Sequence, residues 1–395
     1  MQQSFDDLSD DLSLSLTDNS VVCLMAPTAS GKTALAYELY DTGRYELISV
    51  DSALIYRDMN IGTAKPSATE LARYPHHLVN IIDPMQSYSV AEFVSDVASL
   101  IDSCHENGKI PLLVGGTMMY YMALLDGLSP VPDSDVSVRM RVEQWRQEEG
   151  IHALYEYLGK IDPASHQRLH ATDTQRITRA IEVYLQTDMA LSDWQCQPKQ
   201  VLAHNPNQQW HTLAVMPDRS WLHERIEQRL DNMWAEGLVA EVISLLAQYP
   251  LTPNLPSMRC VGYRQVLEYL VHIKHPIFEQ PHLDKIQFED AFGESAGLSN
   301  KEVKQSDGNR LPTALAKLNS QTEVVACQQM RNKALYATRQ LAKRQYTWLR
   351  KLQQLSISNT GLLTENQSRQ IATSSFTTMT QAREYLHKLS INANH

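Results

Sequence analysis

An α/β fold built on a doubly wound parallel sheet is what this sequence predicts, on the strength of three observations. Short apolar runs rich in β-branched residues, Val21–Met25, Leu47–Val50 and Ile110–Val114, recur along the first third of the chain. Helical segments such as Val90–Cys104 separate them, the alternation expected of strands covered by helices on both faces. The first run passes directly into Ala26-Pro27-Thr28-Ala29-Ser30-Gly31-Lys32-Thr33 and then into a helical stretch from Thr33 to Tyr40. A strand, a phosphate-type loop and a helix in that order define a P-loop NTPase-like core.

Bulk properties narrow the setting. At 395 residues the chain has room for two domains, and 43% hydrophobic with 20% charged residues is ordinary for a soluble protein. No run approaches the roughly 18 consecutive apolar residues of a membrane span. The first twenty residues carry Asp6, Asp7, Asp10, Asp11 and Asp18 with no Lys or Arg, the opposite of a signal peptide. Cys23, Cys104, Cys196, Cys260 and Cys327 are scattered, without a CxxC pair or zinc spacing. A reduced, cytoplasmic protein without structural metal or membrane contact is expected. The net charge of −10 argues against nucleic-acid binding only as an average, because local patches decide contact.

Along the chain, residues 1–20 read as an acidic tail and 21–134 as the P-loop α/β core. Residues 135–205 turn almost wholly helical, with Ile177, Ile181, Tyr184 and Leu185 on one face, and read as a helical insertion domain. Residues 206–355 return to the core with C-terminal helices. Leu222, Ile226, Leu230, Met233, Leu238, Val242 and Leu245 there mark an amphipathic helix broken near Gly237. Within that stretch, a polar composition at about 272–329 reads as an irregular or partly helical surface insertion. Residues 356–395 read as a C-terminal tail with a short helix around Gln381–Leu389.

The loop from Ala26 to Thr33 has the residue types that phosphate binding needs. Backbone N–H groups curl around phosphate oxygens, Lys32 supplies a point charge, and Thr33 can hold Mg²⁺ at the helix N-terminus. An ATPase or kinase usually adds a carboxylate after another apolar strand, but the Ile110–Val114 run ends in Gly115-Gly116-Thr117. The comparable carboxylate is Asp51, directly after Val50. Its position alone leaves three readings open: metal holder, general base or helix N-cap.

Beyond the loop, Asp51-Ser52-Ala53-Leu54-Ile55-Tyr56, Ile61-Gly62-Thr63-Ala64-Lys65-Pro66 and Val114-Gly115-Gly116-Thr117 follow in order. Then come Gln175-Arg176-xx-Arg179, Leu222-xx-Arg225-Ile226-xx-Arg229, Arg259-Cys260-Val261-Gly262-Tyr263-Arg264-Gln265 and the run Ala337–Arg350. Together these closely resemble the bacterial tRNA dimethylallyltransferases (tRNA isopentenyltransferases), over about residues 20–270 and 331–350. Two departures stand out. Ala26 occupies a position where the family usually has Gly, and the connection between Tyr269 and Arg331 is much longer than is typical.

The resemblance implies transfer of a dimethylallyl group from dimethylallyl diphosphate to N6 of adenosine 37 in a tRNA anticodon loop. Ala26 to Thr33 would take the diphosphate, with Thr33 holding Mg²⁺ and Arg225 and Arg229 adding donors to the same oxygens. Without the family match those arginines would read as a solvated helix face beside Glu224 and Glu227. Asp51 would accept the N6 proton, and Thr117 would hold the acceptor nearby; an allylic cation needs a closed channel, which the adenine reaches by flipping out of its stack. The tRNA surface implied includes Asp51, Ser52, Ala53, Leu54, Thr117, Gln175, Arg176, Arg179, Arg259, Cys260, Gly262, Tyr263 and Arg264, with Arg139 on the same surface.

Residues 331–351 support RNA binding on their own. They contain seven Lys or Arg, among them Lys343, Arg344 and Arg350, and no acidic residue, with Tyr346 and Trp348 interleaved. Composition alone fits equally well a basic amphipathic helix packing Trp348 and Leu349 into the core. Asp6-Asp7-Leu8-Ser9-Asp10 matches the DDxxD string of a different, all-helical prenyltransferase class. That class needs two facing clusters, so a single copy in a polar tail reads as solvated. The alternatives are an adenylate isopentenyltransferase acting on free AMP or ATP, a small-molecule kinase, and an RNA-binding protein with a nucleotide switch. The helical block and basic run favour tRNA as acceptor, and nothing in the sequence demands a partner subunit, so a monomer is expected.

Overall fold

The structure, a computed structural model, describes residues 16–292, 321–362 and 371–392. Its centre is a six-stranded, all-parallel sheet of β1 (Ser20–Met25), β2 (Tyr45–Val50), β3 (His76–His77), β4 (Ile110–Gly115), β5 (Gln209–Val215) and β6 (Ile371–Phe376), ordered β3-β2-β4-β1-β5-β6. Every residue of β1 and β4 is buried, which is why both read as unbroken apolar runs. The predicted α/β class is the observed one. No helix among the described residues is long and apolar enough to cross a membrane.

The sheet order sets up the site. β1 pairs with β4 and β5, with Met25 opposite Gly115, and β4 pairs with β2, with Gly115 opposite Val50. The segments leaving β1, β4 and β2 therefore emerge side by side at the carboxyl edge, where open α/β sheets bind ligands. Gly115 makes this approach possible: a Cβ there would lie 1.9 Å from the Val50 carbonyl oxygen.

The chain forms two compact units. Among the described residues, one comprises the chain up to Tyr121 together with that from Pro206 onward. Its core joins Ile55, Tyr56 and Met59 to Leu222, Ile226 and Leu230 of the Arg219–Glu236 helix and Val242 and Leu245 of the Leu238–Gln248 helix. The break between those helices is at Gly237, whose φ of 100° is a left-handed conformation that suits glycine.

The second unit, Met122–Asn205, is helical, with Val138, Val142, Leu154, Leu158, Ile177 and Ile181 as its core. An antiparallel bridge between Leu128 and Gln200 and a 2.6 Å Lys199–Asp126 ion pair tie its two ends together. Helical periodicity becomes visible only from about Asp135, the N-cap of the Val136–Ile161 helix.

Three stretches differ from the sequence reading. The stretch from His272 to Phe292 is not simply a polar surface: Ile277, Phe278, Leu283, Phe288 and Phe292 are buried in the main core. Residues 321–329 belong to one long helix, Gln321–Leu362. The expected C-terminal tail supplies β6 and the Met379–Asn392 helix, which buries Ala382, Leu386 and Leu389. The acidic string Asp6–Asp10 and the most polar part of the insertion, 293–320, lie outside the described residues.

Candidate functional site

The phosphate loop leaves β1 and turns into the Lys32–Tyr40 helix through Gly31, whose φ of 92° is again a left-handed conformation. Ala26, Pro27, Ala29 and Ser30 are buried, Thr28, Gly31 and Lys32 half-buried, and Thr33 exposed in the first helical turn. Burial of the Lys32 ammonium, with Arg229 nearby, pushes its pKa down to about 8, against an opposing pull from Asp51. Burial and the neighbouring Arg225 likewise lower Arg229, while Asp51 raises it. Three cations thus crowd one loop, an arrangement that a polyanion relieves.

The Arg219–Glu236 helix places both arginines. Arg225 donates from Nε to the Ala29 carbonyl at 2.8 Å and stacks on Trp221 at 4.8 Å. Arg229 donates from Nη1 to the Thr28 hydroxyl at 3.2 Å. Their four-residue spacing puts them on one face of the helix. Beside them lies a cavity of about 330 Å³, where Ala29, Ile61, Ala64 and Met233 form apolar walls next to Arg225 and Arg229. Lys65, Gln228, Asn232 and Glu236 complete a lining that is mostly polar, so charged donors and a few apolar side chains share one space, as a short-chain phosphate ester needs.

Asp51 follows β2. Its Oδ1 accepts from the backbone N–H of Ala53 at 2.9 Å and of Leu54 at 3.4 Å, so it does cap the turn that it opens. Among the described residues Oδ2 has no hydrogen-bond partner. The capping and base readings are therefore compatible, one oxygen for each. Across the strand ends, the Thr117 hydroxyl accepts from Ser52 N–H at 3.0 Å, and Thr117 N–H donates to the Val50 carbonyl at 3.1 Å. Thr117, half-buried, thereby couples the ends of β4 and β2; Ser52 is exposed, and Ala53 and Leu54 are half-buried.

No group of three or more His, Cys, Asp or Glu side chains among the described residues could hold a metal by itself. The Thr33 hydroxyl, exposed in the first helical turn, fits the case of Mg²⁺, which takes few protein ligands and completes its shell with phosphate oxygens and water.

The expected RNA-facing residues divide. Arg259 is exposed, Cys260 half-buried, and Arg264 lies over the Phe292 ring at 5.1 Å. Burial, aided by Asp51, pushes the Cys260 thiol up to about 12, so it remains protonated at neutral pH. The Tyr263 side chain offers no surface to RNA: it is fully buried and donates its hydroxyl to Glu241 at 2.5 Å. Its ring packs on Gly62, where a Cβ would meet it at 2.5 Å, and Gly262 beside it is buried too.

Glu241 was not singled out from the sequence. Its carboxylate accepts from the backbone N–H groups of Asn60, Ile61 and Gly62 at 2.7–3.2 Å, shaping the loop that walls the cavity. Its place among the apolar residues of an amphipathic helix was the available signal.

On the Gln321–Leu362 helix, Lys343, Arg344 and Arg350 are exposed and Trp348 is half-buried under Lys351. Tyr346, counted as an interleaved aromatic, is buried instead and bonds through its hydroxyl to the Pro217 carbonyl. Gln345, between them, reaches both the phosphate loop and the end of β4. Within the helical unit, Arg139, Gln175 and Arg176 are exposed, Arg176 paired with Asp173. Arg179 donates to Ser134 Oγ and the Pro132 carbonyl, so it braces its own unit rather than standing free.

Comparison with known proteins agrees with this geometry. The chain is 72% identical over 406 residues to a tRNA dimethylallyltransferase of Psychrobacter cryohalolentis, covering 98% of each chain. It is 47% identical over 337 residues to one of Acinetobacter baumannii, covering 85% of this chain and 91% of the relative. Its structure resembles a full-length tRNA isopentenylpyrophosphate transferase from Bacillus halodurans at 26% identity and a TM-score of 0.52, covering 95% and 98% of the two chains. The fold is shared with a eukaryotic dimethylallyltransferase acting on tRNA, at a TM-score of 0.60 and 21% identity over 92% of this chain and 75% of the other. A family model described as IPP transferase matches residues 54–352, three quarters of the chain and most of the elements around the cavity, and with the identities above it establishes that the chain belongs to the IPP transferase family.

Proposed function

We propose that the chain transfers the dimethylallyl group of dimethylallyl diphosphate to N6 of adenosine 37 in the anticodon loop of tRNA, acting in the cytoplasm as a monomer. The observation that carries the reading is Asp51 Oδ2, a carboxylate oxygen without a partner among the described residues. It stands at the carboxyl edge of the sheet, within the electrostatic reach of Lys32 and Arg229. A base for the acceptor thus sits beside cations for a leaving group.

In the proposed reaction N6 attacks C1 of the allyl chain, the C1–O bond breaks, and diphosphate departs. The N6 proton passes to Asp51, and the released charge rests on the loop N–H groups, Lys32, Arg225 and Arg229. Thr33 is the residue that would hold Mg²⁺, whose charge would neutralise the diphosphate. The apolar side chains of Ala29, Ile61, Ala64 and Met233 suit contact with a five-carbon chain, and the reaction requires that the bound substrates keep out the water that would trap an allylic cation. Exposed Lys343, Arg344 and Arg350 suit a phosphate backbone.

The test is incubation with labelled dimethylallyl diphosphate, Mg²⁺ and unmodified tRNA, with Asp51→Ala alongside. Label on an anticodon-loop adenosine, lost in the variant, is the expected result. Label on AMP alone would favour the free-nucleotide enzyme. ATP consumption without transfer would overturn the reading in favour of a kinase or ATPase.

A further inference from the structure

Gln345 lies on the long C-terminal helix beside exposed Lys343 and Arg344, yet its own side chain is 7% exposed and turns inward. Its Oε1 accepts from the Thr28 backbone N–H at 3.0 Å, and its Nε2 donates to the Gly116 carbonyl at 2.8 Å. One amide thus satisfies a donor beyond β1 and an acceptor beyond β4, both outside the sheet ladder. Gly116 makes room for it, since a Cβ there would lie 2.6 Å from Nε2. The rim Thr28–Ala29 is held on its other side by Arg229 and Arg225.

Each arginine commits one nitrogen to this rim and keeps others for a ligand. Gln345, with its carbonyl on Thr28 and its NH₂ on Gly116, differs from them in having no charge with which to hold an anion. Its effect on a bound diphosphate must therefore run through the shape of the loop. We propose that Gln345 is a positioning residue that holds the phosphate loop in its receiving conformation and fixes it to the strand end carrying Thr117. Preorganised N–H groups bind an oxyanion without paying for their own alignment, so loosening this brace lowers diphosphate affinity and leaves RNA affinity alone. The inference rests on the reading of this loop as a diphosphate site.

The experiment is calorimetric titration of the full chain with inorganic pyrophosphate and Mg²⁺, comparing wild type with Gln345→Met and Gln345→Glu. Met keeps the length and loses both bonds; pyrophosphate affinity is expected to fall about tenfold, the effect of roughly one net hydrogen bond. The KM for dimethylallyl diphosphate should rise in step while the KM for tRNA stays within about twofold. Glu keeps an acceptor for Thr28, loses the donor to Gly116 and adds a negative charge, so it should bind pyrophosphate more weakly than Met.

A lower melting temperature with pyrophosphate affinity and donor KM unchanged would mark Gln345 as merely structural and overturn the proposal. If the variants do not fold, hydrogen exchange on the wild-type P-loop peptide decides. Protection of the Thr28 amide without ligand is expected, and exchange at the rate of a free amide would overturn the proposal. A wild type that binds pyrophosphate in this Gln345-dependent way but transfers no prenyl group would sink the proposed reaction and leave this inference standing.

Discussion

Replacing Gly115 by alanine tests the strand geometry that brings Asp51 and Thr117 together. A Cβ built on Gly115 lies 1.9 Å from the Val50 carbonyl oxygen, 2.4 Å from its carbonyl carbon and 2.8 Å from its Cα. All three atoms are backbone, so no rotamer change relieves the clash. Contacts below 3.0 Å essentially never occur, and the ends of β2 and β4 must therefore part by about 1.1 Å. That movement breaks the Thr117 N–H bond to Val50 and carries Asp51, the next residue, with it. A displacement of this size at a catalytic group costs on the order of 10²-fold in rate. Overpacking of the buried strands costs about 1–3 kcal/mol. Single-turnover prenyl transfer at saturating substrates reads the first effect, and urea denaturation reads the second. A Gly115→Ala protein that turns over within about threefold of wild type would refute the reasoning, because the strand ends would then tolerate separation without moving the base.

Three further outcomes are expected. Lys32, at about 8 in the folded protein, loses its charge well below the ordinary lysine value of 10.5. Diphosphate restores that charge, so its binding at about pH 8.5 should take up protons, visible by calorimetry in buffers of different ionisation enthalpy. Absence of uptake would show that Lys32 is not at the diphosphate. The sign for stability is the reverse of a paired group: the penalty of burying the ammonium is fully present below about pH 8 and is relieved as pH rises toward 10.5. Asp51→Asn keeps the Oδ1 acceptor for Ala53 and Leu54, so its melting curve should match wild type while transfer falls about 10²–10⁴-fold. Equal loss of stability and activity would instead assign Asp51 to the turn alone. Lys343→Ala and Arg350→Ala should each reduce the salt dependence of tRNA binding by about one unit of slope, without weakening pyrophosphate binding. An unchanged slope would remove that helix face from the RNA surface.

Much of the site was legible because its chemistry is local. The phosphate loop, the glycines ending β4 and Asp51 ending β2 each follow an apolar strand directly, and strand direction alone sends them to one edge. The break at Gly237 was legible for the same reason, as a single residue interrupting a periodic stretch. β6 was hidden because Ile371–Phe376 has four polar or small residues in six and pairs only with β5 at the sheet's margin. Buried Phe278, Phe288 and Phe292 were masked by the polar residues around them.

Which side chains of a helix turn inward is likewise not a property of that helix. Tyr263 and Tyr346 are buried because Glu241 and the Pro217 carbonyl await their hydroxyls. Gln345 meets partners 317 and 229 residues away in the chain. The sequence by itself determined β1, β2 and β4, the loop and the charges, whose causes lie within a few neighbouring residues. The tertiary structure decided which of those groups are free to act and which are spent on bracing, because a hydrogen bond is settled only when both partners are in place.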